Sequence, residues 1–441
     1  MRRSPLTPPP KRSDLFVFPR VPMTAPRTSW WDGFAEVAND VTEPGTPRPF
    51  SAYVHVPFCS VRCGYCDFNT YVSDFGAGAD RATYHQSILD EVEFSGRFLD
   101  SIGHPKAPLQ SIFFGGGTPS LISPAAIGEI VAGLRGTFGF EPSIEVTLEA
   151  NPDTLDPRKV EGFRDAGVNR VSIGMQSSVP HVLQTLDRTH DAGRVKDAVR
   201  AVKDAGLEVS VDLIYGTPGE SLGDWRESVE AALALKPDHV SAYSLIIEDG
   251  TKMGALLRRG KIEEPNPDLE ADKYMLANSL LEDAGFSWYE ISNFATRPSA
   301  ASTHNLAYWS DANWWGYGAG SHSHLGKSRW WNVRHPTAYA GRANAAVSPA
   351  AGGEILTSEE RVTEQIMLAV RTSKGIGVDP VAQAAQLDEG VGEEESEQIA
   401  RDRLHSLVEE GLMESGAEAT WVLTLQGRLL ADLVTRRLLG W

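Results

Sequence analysis

From residue 50 onward the chain alternates short apolar runs with amphipathic stretches, and this alternation limits the fold more than any other feature. The runs Ala52–Val56, Ser111–Gly115, Ile144–Glu149, Arg170–Met175, Val209–Ile214 and His239–Leu245 have strand length. Helical periodicity fills the gaps, as at Arg81–Phe98, Pro124–Phe138, Gly193–Ala205 and Ser221–Leu235. Six strands, each followed by a helix, make successive βα units and a parallel sheet. The repetition predicts an α/β barrel or partial barrel rather than a sheet with a central reversal.

Two other regions flank this body. Residues 1–49 hold ten of the 27 prolines, a density that blocks regular ladders and predicts an irregular tail. Phe16, Phe18, Trp30 and Trp31 give that tail the means to pin itself to the body. Beyond the sixth unit come a helix (Leu269–Ala284), a strand (Ser287–Phe294) and a Trp- and Gly-rich stretch, taking the body to residue 345. A loop at Ser348–Gly353 marks a boundary. Residues 354–441 then predict a small winged-helix-like α+β domain, with helices at Ser358–Arg371, Glu393–Glu410 and Gln426–Leu439 and a wing at Leu412–Leu425.

The chain has 41 Lys and Arg against 59 Asp and Glu, for a net charge of −18. That balance argues against nucleic acid as a partner, and the acidic run Asp388–Glu397 argues against DNA binding by the terminal module, which reads instead as a docking or lid domain. No apolar run is long enough to span a bilayer. The only three cysteines, Cys59, Cys63 and Cys66, lie within eight residues. Three clustered thiols are no disulfide framework, and with no apolar leader after Met1 they predict a reducing, cytoplasmic setting. Thiolates suit iron–sulfur clusters and zinc. Three of them leave one position of a [4Fe–4S] cluster open; the alternatives are three structural cysteines or a Cys3His zinc site using His55, in a structural or interaction protein.

The segment Tyr53-x-His55-x-Pro57-Phe58-Cys59-x3-Cys63-x-Tyr65-Cys66-Asp67-Phe68 resembles the signature of the radical-SAM family. It is most similar to the branch holding oxygen-independent coproporphyrinogen III oxidases and HemW-type heme chaperones. The resemblance covers roughly residues 50–440 and implies the family's partial (β/α)6 barrel. It implies a [4Fe–4S] cluster on the three cysteines, with S-adenosyl-L-methionine (SAM) chelating the fourth iron. Gly115-Gly116-Gly117-Thr118-Pro119, by itself an ordinary turn, is similar to the family's SAM-binding element. The resemblance assigns Tyr53, Gly115 and Glu149 to SAM, and places Gly116, Thr118, Gln176, Arg188, Asp212 and Ile246 around it or a second such site. Tyr65 and Gly117 belong to the same cofactor-binding set.

Two points separate the relatives. The oxidase pattern carries a fourth cysteine two residues past the third, where this chain has Phe68. His304-Asn305-Leu306-Ala307-Tyr308-Trp309 matches the HNxxYW motif associated with heme binding in the chaperones. An imidazole can ligate heme iron and aromatic faces can pack a macrocycle. Six of the 11 tryptophans fall in 288–331. His304 is the expected axial ligand; the bland alternative is a hydrogen-bonded histidine among packing aromatics. His322, His324 and His335 compete with it, and Arg329 and Arg334 could pair with propionates. The expected function is a heme chaperone that passes heme to a respiratory acceptor, with peripheral association at membrane acceptors left open. The alternative is oxidative decarboxylation of coproporphyrinogen III. Whether SAM is cleaved during transfer, and so whether the chain is an enzyme, is left open by the sequence.

Overall fold

The computed structural model describes residues 48–441, except for the side chains of residues 388 and 389. The Pro-rich tail and its aromatic residues therefore lie outside the described residues, apart from positions 48 and 49. Six strands, β1 (Phe50–Val56), β2 (Leu109–Gly116), β3 (Phe140–Ala150), β4 (Arg170–Gln176), β5 (Glu208–Tyr215) and β6 (His239–Ser244), lie side by side in chain order and run parallel. Beyond β6 the sheet turns antiparallel through β8 (Asn293–Ala295) to β7 (Ser287–Glu290). Beyond β1 it continues through β9 (Asn313–Tyr317), parallel to β1, then β10 (His322–Leu325), β11 (Ser328–Asn332) and β12 (Ala350–Ile355). The two ends do not pair, so the twelve strands form a partial barrel.

Successive side chains of a strand point to opposite faces, and here the two faces differ in chemistry. Val54, Ile112, Phe114, Leu148, Ile173, Val211 and Val240 belong to one buried core under the outer helices. Tyr53, Phe113, Thr147, Ser172, Asp212 and Ser241 alternate with them and face the lumen. A parallel strand packed on both faces reads as continuously apolar. These alternate, and the barrel is correspondingly hollow. Three of the outer helices begin on side-chain caps: Ser123 accepts from the Ala126 N–H, Asp191 from Arg194, and Ser221 with Asp224 forms a capping box.

The structure departs from the sequence expectations in four places. Residues 287–295 reverse direction and form a hairpin rather than one strand. The expected boundary loop is largely edge strand β12; a Cβ at Gly352 would lie 2.7 Å from the Trp331 ring, so the small residues there make room for an indole. The last helix breaks at Leu430 into Leu425–Leu429 and Ala431–Leu439, and Val378–Glu389 is an additional helix.

The terminal segment encloses a second core of Val362, Ile366, Leu404, Leu407, Val434 and Leu438, with a small wing formed by β13 (Met413–Ser415) and β14 (Trp421–Leu423). Arg361 pairs with Asp311, and Arg329 grips Glu364, so charged contacts join this core to the barrel. Among the described residues no helix is long and apolar enough to cross a membrane.

Candidate functional site

The three cysteines sit on the loop that follows β1, and its base is tied by backbone bonds. Cys59 N donates to Tyr71 O (2.9 Å) and Tyr71 N to Pro57 O (2.7 Å). The glycine-rich loop after β2 zips onto the same segment, with Gly117 N donating to Val56 O and Thr118 N to Phe58 O, both at 2.8 Å. This contact requires glycine. A Cβ on Gly117 would lie 2.6 Å from Phe58 O and 3.0 Å from Cys59 Sγ. At Gly116 (φ +108°) it would lie 2.5 Å from the His55 ring.

Donors approach the sulfurs. Thr118 Oγ1 stands 3.8 Å from Cys59 Sγ, and Arg188 Nη1 donates toward Cys63 Sγ at 3.6 Å. Burial pushes the Cys59 and Cys66 thiols up, and the neighbouring thiols push the same way. Among the described residues no three His, Cys, Asp or Glu side chains converge where one ion would sit. A cubane offers each thiolate its own iron and does not need that convergence. His55 is engaged elsewhere: Nε2 donates to Asn69 O and Nδ1 accepts from the Tyr53 hydroxyl, each at 3.0 Å, so neither nitrogen is left for zinc. The cradle and the donor set fit an iron–sulfur cluster.

From this loop a cavity of about 540 Å³ runs down the lumen. It is lined by the three cysteines, Tyr53, Tyr65, Gly116, Gly117, Thr118, Glu149, Gln176, Arg188, Asp212, Ile246 and His304. Of the predicted site residues only Gly115 lies off the lining, backed against the Tyr53 and Phe113 rings. Gln176 ends β4 in a left-handed conformation (φ +65°) where the ladder to β5 slips by one residue. Arg188 Nη2 donates to Gly174 O at 2.8 Å, while its Nε is buried without a partner. Glu149 accepts from Gly116 N at 3.1 Å; burial, with the Asp212 carboxylate as a second cause, raises its pKa to about 8. Burial also raises Asp212, although Ser172 and Ser241 both donate to it.

The opposite end of the lumen is closed by the short helix Thr303–Trp309, which carries the HNxxYW residues. Glu145 on β3 caps it, accepting from Ser302 Oγ (3.1 Å), Thr303 N (2.9 Å) and His304 N (3.0 Å). His304 is 2% exposed and stacks on Phe113, with ring centres 5.0 Å apart. Its Nδ1 bonds Ser111 Oγ and its Nε2 the Tyr308 hydroxyl, both at 2.9 Å. Burial lowers its pKa to about 3, so the ring is neutral.

The competing residues lie off the cavity. His324 bonds Gly326 O, and His335 caps the helix Pro336–Ala343. Arg329 is committed to Glu364, and the Arg334 carbonyl anchors Asn69 and Tyr71. The lumen contains residues that sequence reasoning missed, Arg170, His239, Tyr289 and Asn293, and Glu145 behind it holds the His304 helix. The alternation of polar and apolar residues along β2 to β6 was the signal that could have found several of them.

Comparison with known proteins agrees with this geometry. A family model for the radical SAM superfamily matches residues 53–232. The chain is 41% identical over 394 residues to the heme chaperone HemW of Mycobacterium tuberculosis, covering 89% of this chain and 95% of the relative. It is 33% identical over 397 residues to HemW of Bacillus subtilis, covering 88% and 99%. Coproporphyrinogen III oxidase (HemN) from Escherichia coli, a radical SAM enzyme, shares the fold with a TM-score of 0.72 at 21% identity, over 92% of this chain and 93% of that one. Similarity at this identity across nearly the whole of two relatives, together with the cysteine loop and its glycine cradle, shows that the chain belongs to the HemW family within the radical SAM superfamily.

Proposed function

We propose that the protein is a heme chaperone that holds a [4Fe–4S] cluster on Cys59, Cys63 and Cys66, binds SAM beside it, and carries heme to a respiratory acceptor in the cytoplasm or at the membrane face. The observation that carries this reading is the continuity of the cavity from the cysteine loop to the HNxxYW helix. A cluster of this kind supplies an iron for SAM's amino and carboxylate groups and an electron source for its cleavage. Glu149 and Asp212 face the middle of the lumen, where a cationic ligand would return them to their charged forms. Gly116, Gly117 and Thr118 bring backbone close to that ligand. The aromatic residues around His304 offer flat apolar surface to a macrocycle. Residues 50–345 form the carrier body, and 354–441 the docking or lid module.

An anaerobic titration of heme into the full chain and its His304→Ala variant tests the reading. Saturable binding near one heme per chain, weakened by the substitution, is expected; no binding by wild type overturns it. Decarboxylation is the second reading, favoured by the HemN-like fold. Phe68, 58% exposed, stands where the oxidase pattern has its fourth cysteine. Formation of protoporphyrinogen IX on anaerobic incubation with SAM and coproporphyrinogen III would replace the chaperone reading.

A further inference from the structure

The segment that follows β4 packs on the cysteine loop and brings a permanent cation to one of the sulfurs. The helix Pro180–Thr185 ends where Asp187 takes a left-handed conformation (φ +56°), with Asp187 N donating to Gln184 O (3.1 Å) and Arg188 N to Leu183 O (2.9 Å). This pair of bonds is a Schellman cap, and it fixes the direction in which the chain leaves the helix. Asp187 is thereby seated against Gly64, the residue after Cys63, where a Cβ would lie 2.5 Å from the carboxylate. Met253 N donates to Gly64 O at 2.8 Å and pins the loop from a second side. Arg188 then reaches Cys63. Its guanidinium forks, with Nη2 donating to Gly174 O at 2.8 Å and Nη1 toward Cys63 Sγ at 3.6 Å. Gly174 leaves room for the fork, since a Cβ there would lie 3.3 Å from Nη2. The neighbouring Asp187 carboxylate is committed to Lys252, at 2.7 and 2.9 Å.

We propose that Arg188, through the fork that joins Gly174 O to Cys63 Sγ, tunes the reduction potential of the cluster and holds it higher than the thiolates alone would. The inference rests on the cluster part of the reading above and gives Arg188 a role distinct from contact with SAM. Reduction adds one electron to a [4Fe–4S] cluster, and part of the added charge falls on its sulfur ligands. A donor at a sulfur therefore favours the reduced form over the oxidised one, which raises the potential. Guanidinium stays charged at every working pH, and away from bulk water its field is weakly screened. No proton moves in this scheme. The cluster gains its electron from an external low-potential reductant, and Arg188 is cationic in both forms.

The test is an anaerobic redox titration of the reconstituted full chain with dithionite, without SAM, followed by the EPR signal of the reduced cluster. Wild type, Arg188→Gln and Arg188→Lys are compared, with iron and sulfide measured on each sample. Gln removes the charge, whereas Lys keeps a charge but not the planar fork. Iron and sulfide should match wild type in both variants. Arg188→Gln should be harder to reduce by roughly tenfold or more in the equilibrium constant, about 59 mV for one electron, and Arg188→Lys by less. A midpoint that stays at the wild-type value or rises in loaded Arg188→Gln overturns the assignment. If only Arg188→Lys loads a cluster, a lowered midpoint is expected there, and one equal to wild type overturns the role of the fork. Loss of the cluster from both variants would show that Arg188 holds the loop together, and it too overturns the tuning role. Wild type without iron and sulfide removes the cluster reading itself, a different result from a loaded cluster whose potential ignores Arg188.

Discussion

Replacing Glu145 with alanine should loosen the helix that carries His304 while sparing the cysteine loop at the other end of the lumen. The helix has seven residues, too few to hold together without outside contacts. Its N-terminus is held by one carboxylate that accepts from Thr303 N, His304 N and Ser302 Oγ. Without that carboxylate two backbone N–H groups lose their acceptor, at about 1–3 kcal/mol each where they stay dry. The favourable placement of negative charge at a helix N-terminus is lost as well. Allowing for water entering the space left behind, a local destabilisation of about 3 kcal/mol is expected, which is roughly a 150-fold change in an opening equilibrium. Hydrogen exchange reads it directly. The amides of Leu306 through Trp309 should lose about two decades of protection, while those of β1 and β2 stay unchanged. Glu145→Gln should fall between, since one carbonyl oxygen remains but an NH2 faces an N–H. If Leu306–Trp309 protection is the same in Glu145→Ala as in wild type, the carboxylate does not hold the helix and the account of how His304 is positioned fails.

Two further outcomes follow from the geometry. Gly117→Ala places a methyl 2.6 Å from Phe58 O and should force apart the bonds that join the two loops, an overpacking cost of about 1–3 kcal/mol. Anaerobic reconstitution should then give less iron and sulfide per chain than wild type, and equal contents would refute the cradle. Glu91, 1% exposed, accepts from Tyr339, Gly318 N and Asn332, and burial raises its pKa to about 7 against an ordinary 4.5. A raised acid favours the fold while protonated. Its contribution is complete below about pH 4.5, falls as pH rises to about 7 and is flat beyond. Urea unfolding of wild type against Glu91→Gln should show the wild type losing roughly 3 kcal/mol relative to the variant across that window. A pH-independent difference would show that the Glu91 carboxyl does not titrate in this way.

The sequence carried the parallel strands well because each holds a short, largely apolar run between helical periods. Arg170–Gln176 was placed within one residue of its observed end. The cysteine loop was equally legible, since its chemistry lies in contiguous residues. The lumen was harder to read. Arg170, Ser210 and His239 are adjacent only across strand ladders, through pairings such as Arg170 with Glu208 and Ser210 with His239. Glu145 meets the His304 helix across more than 150 positions of chain. The β12 edge was missed because Gly352 and Gly353 read locally as a turn, and only the Trp331 indole explains glycines in a strand. The hairpin at 287–295 was missed because its reversal at Ile291 and Ser292 uses neither glycine nor proline.

What the alternation along the strands implies reaches beyond element placement. A barrel whose lumen face holds Thr147, Arg170, Ser172, Ser210, Asp212 and His239 cannot close around a dry core, because each of these groups needs a partner when buried. Some supply one another, as Ser172 and Ser241 do for Asp212. Arg170 Nη2 and Thr147 Oγ1 are left without one. The polar lumen keeps the interior open, and the two ends of that interior carry different chemistry. Thiols and close-approaching backbone lie at the ends of β1 and β2, whereas the His304–Tyr308 pair lies on the helix that closes the floor. A protein that only cleaved SAM would have use for the first end alone. The second end is held by Glu145, Tyr289 and Glu290, with Asp311 just beyond the helix tied to Arg361 of the terminal module. The terminal segment is thus tied to the chain just beyond the His304 helix through Arg361, and to β11 through Glu364 and Arg329.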